Sequence, residues 1–519
     1  MIRDLTLKPF QEEALDLMVG RGSALLALTM GLGKTVTSIA AIEDLADNGA
    51  LTTGLIIVPN SLKYQWQREI LRFTGQRALV IDGPKPKREK LYSYAFRHRY
   101  VVTNYDSIVN DWNVVRDLPL DYIVCDEATA IKTFKTKRSK RIKFLGRRVP
   151  IRIALTGQPI ENRPEELFSI MEFVDAEVLG PFQKFDRTFI VRNHYGRPTR
   201  YRNLPLLHDA MADVMYRKSR KDVADQFPRI NTAVIPFYLS DVEATMYERV
   251  RDYVLNLLLD ATAQFGASFN LAAHYGADHD PASEQMKGDI MAGVMILRQI
   301  SDDANLVLQS AANYDSGKGT GSKLAAELVE QGWFDNVPDV SSKRAMFFEF
   351  VEEVLAEDCD SKVVGFSTFK GMLRSLALDT ASLTKSTALT GDMNARDRDT
   401  SIQQFKTDRA TRLFLSSDAG GYGIDLPNAN HLVSLDLPWS TGSYEQREAR
   451  IIRISSEFEQ VFITMLLAQG TIDMRMHEMI EEKGGVADAW LDGSVDAKGG
   501  FELNLGSLTD FLATAKLRP

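Results

Sequence analysis

Cysteine is almost missing from this chain. Only Cys125 and Cys359 occur among 519 residues, far apart and each inside or beside an apolar run, so neither a disulfide framework nor a zinc site can be assembled from them. Such usage fits a reducing compartment. Long hydrophobic runs are missing too: stretches such as VFITMLLA from Val461 fall far short of the ~20 residues that a membrane span needs. The start, MIRDLTLKPFQEEALDLM, lacks the apolar core of a signal sequence. Nor does positive charge predominate. The formal net charge is -8, so any nucleic-acid surface has to be a local patch on an acidic body. These absences exclude a disulfide-stapled secreted domain, a membrane protein and a polycation, and the expectation is a soluble cytosolic chain.

What is present is an ordinary globular composition, 44% hydrophobic and 25% charged, at a length that suggests about two to four domains. From residue 24 to about 157 short apolar runs alternate with helical stretches: ALLAL, TGLIIVPN, RYVVTNYDSI, DYIVCDEA and IRIALTG. That alternation predicts a parallel sheet, and each run ends in the small, polar or acidic residues that line ligand sites at the carboxyl ends of parallel strands. Residues 160 to about 260 read mainly helical, with EELFSIMEFV and DVEATMYERVRDYVLNLLLD in three-to-four spacing. Residues 266 to 322 are turn-rich and form the best linker candidate. From Lys362 the alternation resumes with KVVGFST, STALTG, TRLFLSS, HLVSLDLP and QVFITMLLA, predicting a second parallel sheet. The expected fold is α/β, with two similar parallel-sheet lobes and helical protrusions. Residues 1–160 form the first lobe, 161–345 the protrusions and linker, 346–485 the second lobe, and 486–519 a C-terminal brace.

The first apolar run ends at Leu28 and is followed by TMGLGKT and a helical pattern. A glycine turn lets backbone N–H groups point at phosphates, and the helix N-terminus adds a favourable dipole. Gly31 and Gly33 supply the turn, Lys34 reaches the β- and γ-phosphates, and Thr35 ligates Mg²⁺. The DEAT segment, residues 126–129, ends the YIVC run 92 residues after Lys34. Two adjacent carboxylates at a strand end can divide labour: Asp126 holds Mg²⁺ and Glu127 activates the attacking water. Near the other end, QREARIIR presents Gln446, Arg450 and Arg453 towards one side of a helix start. Arginines brought to a transferring phosphoryl group from a second lobe would complete the site when the lobes close.

In order along the chain, these segments resemble the motif series of the Swi/Snf family of double-stranded DNA translocases, within helicase superfamily two. LKPFQ looks like its adenine-reading motif, with Gln11 as reader, and MGLGKT, Met30 to Thr35 with Leu32 between the glycines, its nucleotide loop. IIVPNSLKYQWQREI is similar to motif Ia, VVTNYDSI to motif Ib, DEATAIK to Walker B, and LTGQPIENRPEELFSIMEFV to motif III. MYRKSRKDVADQFP and ILRQI resemble inter-lobe signatures. VVGFSTF, SDAGGYGIDLPNANHLVSLDLPW, QREARIIRI and GTIDMRMHEMIEEK resemble motifs IV, V and VI and the closing helix. The resemblance covers roughly residues 5 to 493 and implies two RecA-like lobes and ATP hydrolysis with Mg²⁺. It adds Gly423, Asp425 and Gln446 to the nucleotide set. Three departures stand out: Thr129 for histidine, Gln158 for threonine, and Leu28 and Thr29 in place of an acidic pair. None removes a phosphate, metal or water-positioning group.

Residues 132–148, KTFKTKRSKRIKFLGRR, hold nine Lys or Arg and no acid, a natural phosphate-tracking surface that offers Lys132, Lys135, Lys137, Arg138 and Lys140. Arg192, Arg197, Arg200 and Arg202, with Tyr195 and Tyr201 interleaved, read equally as a duplex grip or as a flexible hairpin. By resemblance, backbone contacts also come from Ser61, Lys63, Asn104, Tyr105, Ser367 and Thr368, none of which carries a base code. Trp439 could stack on a base, although packing is the commoner role for a tryptophan after an apolar strand. The expected activity is ATP-driven translocation on double-stranded DNA by a monomeric motor, ahead of RNA or single-stranded DNA, with a protein partner as one source of target specificity. A strand-separating helicase and a nucleotide-dependent clamp with little turnover are the alternatives. So little lies outside the motor that a bacterial or phage-infected cytoplasm is the expected setting.

Overall fold

A computed structural model of the chain describes residues 6–47, 49, 51–160, 163–192, 198–265, 281–418, 424–439, 441–491 and 505–518. It divides into two compact units, residues 1–227 with 483–500, and residues 228–482 with 501–519.

The first unit is built on seven strands: β1 (Ser23–Leu28), β2 (Gly54–Val58), β3 (Leu79–Val80), β4 (Tyr100–Asn104), β5 (Tyr122–Asp126), β6 (Ile151–Leu155) and, after a separate hairpin of β7 (Ile190–Arg192) and β8 (Pro198–Tyr201), β9 (Met215–Lys218). Their order is β3-β4-β2-β5-β6-β1-β9 and every pairing is parallel. Every residue of β1, β2 and β5 is buried. Crossover helices cover both faces of a parallel sheet, so its strands read as continuous apolar runs rather than as alternation. Because all strands run the same way, the five loops after β1, β2, β4, β5 and β6 emerge at one edge, and the predicted site residues of this unit lie at or after these strand ends, except Gln11 on the helix Pro9–Arg21.

The second unit repeats the plan with β10 (Arg229–Phe237), β11 (Val363–Phe366), β12 (Lys385–Leu389), β13 (Thr411–Ser416), β14 (His431–Ser434) and β15 (Gln460–Ala468). The order is β10-β15-β14-β11-β13-β12, again parallel throughout. Val250, Val254 and Leu258 of the helix Asp241–Phe265 share one core with Ile290, Val294 and Leu297 of Pro281–Asp302 and with the strand residues Val363, Leu413 and Val433.

Every apolar run read as a strand is one. The stretch read as mainly helical is mixed. Helices Pro164–Val174 and Asp241–Phe265 lie where the periodicity puts them, but β7 to β10 fall between them. The turn-rich linker is also corrected. Residues 266–280 lie outside the described residues, yet Pro281–Asp302 and Asn305–Asp315 are helices whose apolar faces belong to the core of the second unit. Among the described residues no helix is long and apolar enough to cross a membrane.

Candidate functional site

The loop after β1 turns on two glycines in the left-handed region, Gly31 at φ 91° and Gly33 at φ 80°, and delivers the chain into the helix Lys34–Asp47. Only glycine adopts such angles without steric cost. A second constraint acts at Gly33, where a Cβ would stand 2.5 Å from Gln11 Nε2. Gln11, buried on the helix Pro9–Arg21, donates from Nε2 to the Leu32 carbonyl at 3.0 Å and accepts the Lys8 N–H at 2.9 Å. The predicted adenine reader therefore also braces the loop. Lys34 Nζ donates to the Leu28 carbonyl at 2.9 Å and lies 3.6 Å from where a Cβ on Gly157 would be, with Met30 on the same side. Thr35 is half-buried at the second position of the helix.

Strand register brings the carboxylates to this loop. Asp126 of β5 pairs with Leu155 of β6, and Leu155 pairs on its other side with Leu26 of β1. Asp126 is thus two strand spacings, roughly 10 Å, from the strand that feeds the loop. Burial raises its carboxyl above the usual range. The indole N–H of Trp66, at 2.8 Å from Oδ2, the charge of Lys34 and the Glu127 N–H act against that shift. Glu127 itself adopts φ 50° and ψ 59°, a left-handed conformation that few non-glycine residues hold without support. Its N–H donates to Asp126 Oδ1 at 2.9 Å, while the Tyr105 hydroxyl donates to the Asp126 carbonyl at 2.6 Å. A glycine turn at a helix N-terminus, a lysine and a hard oxygen set of hydroxyl and carboxylate form a donor set that fits a nucleotide polyphosphate with Mg²⁺.

The predicted polymer contacts divide. Lys63 is not at the surface: its Nζ is buried and paired with Asp82 Oδ1 at 2.5 Å. Ser61 is half-buried just before it. Asn104 caps the helix Tyr105–Asn110 by accepting the Ser107 N–H at 2.8 Å and donates to Asn60. Tyr105 is buried with its hydroxyl turned inward. Within the basic run Lys135, Lys137 and Lys140 are exposed. Arg138 pairs with Asp106 at 2.6 Å, and Lys132 lies 3.7 Å from Glu166. Lys143 is a core group, donating to Ser169 and Glu172 at 2.8 and 2.7 Å. Of the arginine and tyrosine set, residues 195 and 197 lie outside the described residues. Arg192 pairs with Asp186, and Tyr201 is buried with its hydroxyl on Glu165.

At the matching edge of the second unit, Ser367 and Thr368 follow β11 and both hydroxyls donate to Asp436 at 2.7 and 2.8 Å. Ser367 is fully enclosed. The buried Arg447 forks between Asp418 and Asp436, at 2.5 and 2.9 Å. Burial alone would raise the Asp436 carboxyl, but Arg447 and Arg298 outweigh it and hold it well below the usual carboxylate range. The helix Thr441–Glu448 carries Gln446 and ends before the two predicted arginines, so they do not share its face. Arg450 is buried and donates to the Ile424 carbonyl at 3.1 Å, while Arg453 is ion-paired with Asp425. Gly423 lies outside the described residues. Trp439 packs against the core with the Arg298 guanidinium 5.0 Å from its ring centre.

Sequence reasoning passed over Trp66 and Arg447. A buried indole N–H needs an acceptor, and a carboxylate closing a buried strand needs a cation. Neither need shows in the sequence, because it arises from burial and the partners lie 60 and 11 residues away.

A family model described as the SNF2-related domain matches residues 10–306, and one described as the helicase conserved C-terminal domain matches residues 346–455. Similar curated proteins include the "Putative ATP-dependent helicase/translocase YwqA" of Bacillus subtilis, 26% identical over 93% of this chain and 48% of that protein. A second is the ATP-dependent helicase FUN30 of Saccharomyces cerevisiae, 23% identical over 92% of this chain and 46% of that protein. The chain thus spans about half the length of these two relatives. Among solved structures, the SWI2/SNF2 ATPase core of Sulfolobus solfataricus in complex with dsDNA is 25% identical, with a TM-score of 0.42 over 94% of each chain.

Proposed function

The chain belongs to the SNF2-related domain family, and on that premise we propose that it hydrolyses ATP to move along double-stranded DNA, remodelling DNA or protein–DNA structures without obligatory separation of the strands. The observation that carries this reading is the shared edge of the first sheet. There the Gly31–Gly33 turn, Lys34 and the Asp126–Glu127 pair are set two strands apart, and the loops after β2 and β4 lie at the same edge. The helicase and translocase names of the relatives support the same class of activity.

Each group has a proposed task. Backbone N–H groups of residues 31–35 and the Lys34 ammonium hold the polyphosphate, and Gln11 reads the base while it braces the loop. Thr35 and Asp126 hold Mg²⁺, which when bound neutralises charge on the β- and γ-phosphates. Glu127, held in a left-handed backbone next to Asp126, takes the proton of the attacking water. Arg450 and Arg453 are proposed to stabilise the transferring phosphoryl group, with Gly423, Asp425 and Gln446 completing the nucleotide contacts. On the polymer side the exposed Lys135, Lys137 and Lys140 track phosphates by charge alone, which is sequence-tolerant. Ser61, Asn104 and the backbone around Ser367 and Thr368 fix the register of the strand.

Steady-state ATP hydrolysis measured side by side with no polymer, duplex DNA, single-stranded DNA and RNA tests this. Duplex DNA is expected to stimulate most. Equal stimulation by RNA alone would favour an RNA helicase, and turnover indifferent to every polymer would favour a clamp.

A further inference from the structure

We infer that Trp66 and Tyr105 are positioning residues through which the two helices that open at the proposed phosphate contacts set the Asp126–Glu127 pair, so that engagement of DNA is read at the metal-holding carboxylate. This rests on the proposed function above.

The helix Lys63–Thr74 begins directly after Ser61 and Leu62, and Trp66 lies one turn inside it. Its indole N–H donates to Asp126 Oδ2 at 2.8 Å with both side chains buried. The other carboxylate oxygen accepts the Glu127 N–H at 2.9 Å. Two donors on two oxygens fix the plane of the carboxylate, and one of them travels with the helix Lys63–Thr74. The helix Tyr105–Asn110 begins at Asn104, and its first residue acts on the backbone instead. The Tyr105 hydroxyl donates to the Asp126 carbonyl at 2.6 Å and reaches the Glu127 carbonyl at 3.4 Å, the point where the chain enters its left-handed turn. The basic run joins here too, since the Arg138 guanidinium stands 5.8 Å from the centre of the Tyr105 ring and is paired with the neighbouring Asp106. Each helix therefore has, within a turn of its proposed phosphate-facing start, one hydrogen bond to the catalytic segment. A shift of either helix by a fraction of an ångström changes the aim of the carboxylate or of the peptide that carries Glu127. Packing alone does not call for these bonds: at position 105 a phenylalanine fills nearly the same space without the hydroxyl, and at position 66 burial calls for a ring but not for an N–H.

Trp66→Phe and Tyr105→Phe separate the two roles by keeping a ring and removing a donor. The measurement is equilibrium binding of a fluorescent ATP analogue against Mg²⁺ concentration, with and without duplex DNA, on the full chain, together with a thermal melt. In the parent chain, duplex DNA is expected to lower the Mg²⁺ concentration for half-maximal binding. Removing a group that orients a metal ligand typically weakens metal binding 10- to 100-fold. Trp66→Phe should thus raise the Mg²⁺ midpoint about tenfold, and in both variants the midpoint should lose most of its response to duplex DNA. Variants that keep the parent's midpoint and its DNA response, whatever their melting temperature, overturn the inference. Tyr105→Phe deletes one oxygen atom and keeps the test open if Trp66→Phe does not fold. A parent chain that binds the analogue but ignores duplex DNA overturns the proposed function instead, and the coupling with it.

Discussion

Gly33→Ala probes the nucleotide loop at its most constrained point. The residue sits at φ 80°, and an added Cβ would stand 2.5 Å from Gln11 Nε2 and 3.2 Å from Val36 Cγ1. The left-handed backbone costs a non-glycine residue about 1–2 kcal/mol. Displacing the amide breaks its 3.0 Å bond to the Leu32 carbonyl, a buried bond whose loss costs about 1–3 kcal/mol. The strain of roughly 2–5 kcal/mol can be relieved by the loop leaving its phosphate-holding shape, at about tenfold in affinity per 1.4 kcal/mol. ATP affinity should therefore fall by at least about 30-fold. The broken amide bond is also lost to the free chain, so the thermal midpoint should fall as well, by about 2–4 °C per kcal/mol. Equilibrium titration with a fluorescent ATP analogue beside a thermal melt reads both, and a variant that binds ATP like the parent would refute the reasoning.

Lys34→Ala should lose most nucleotide binding, whereas Glu127→Gln should bind and retain nucleotide with turnover abolished, since one group holds phosphate and the other activates water; equal loss of affinity in both, by filter binding, would undo the assignments. Replacing Lys135, Lys137 and Lys140 by glutamine should make the slope of log affinity for duplex DNA against log salt shallower by about 3, near 0.9 per lost phosphate contact. An unchanged slope in anisotropy titrations would remove these residues from the DNA surface. Lys343 is fully enclosed in the second unit, with Nζ donating to Asp302, Asp473 and the Leu435 carbonyl at 2.6, 2.7 and 2.6 Å. Lys343→Met strands two buried carboxylates and should cost about 3–5 kcal/mol in urea unfolding; an unaltered midpoint would mean that the cluster relaxes.

How far the sequence carried the fold can be seen strand by strand. Buried strands such as SALLAL and GLIIV announce themselves because both faces are covered. The edge strand β10 does not: its first six residues are exposed, and RINTAVIPF contains a proline, which usually argues against a strand. The sheet tolerates Pro236 because β10 pairs with a neighbour on one side only. β9, reading MYRK, has no apolar residue beyond Met215 and Tyr216 to mark it. Within the candidate site, the gathering of Lys34, Asp126 and Glu127 at one sheet edge was legible, because the loops after parallel strands emerge together at their carboxyl ends. The arrangement around them was not, since it depends on long-range pairing. Lys63, expected by resemblance at the polymer, is buried against Asp82, and Ser367 and Thr368 are claimed by Asp436, whose charge is in turn fixed by Arg447. The positions of Arg450 and Arg453 were misjudged for a local reason, because the helix that would have aligned them ends at Glu448.

The central claim, motion along an intact duplex, is tested most directly by displacement of a third strand from a DNA triplex in the presence of ATP. A motor that grips phosphates and tracks a duplex should release the third strand in an ATP-dependent way and leave the underlying duplex paired. A labelled forked duplex in the same reaction should stay annealed, and Glu127→Gln should release nothing. Unwinding of the fork with the third strand still bound would contradict translocation on double-stranded DNA and identify a strand-separating helicase.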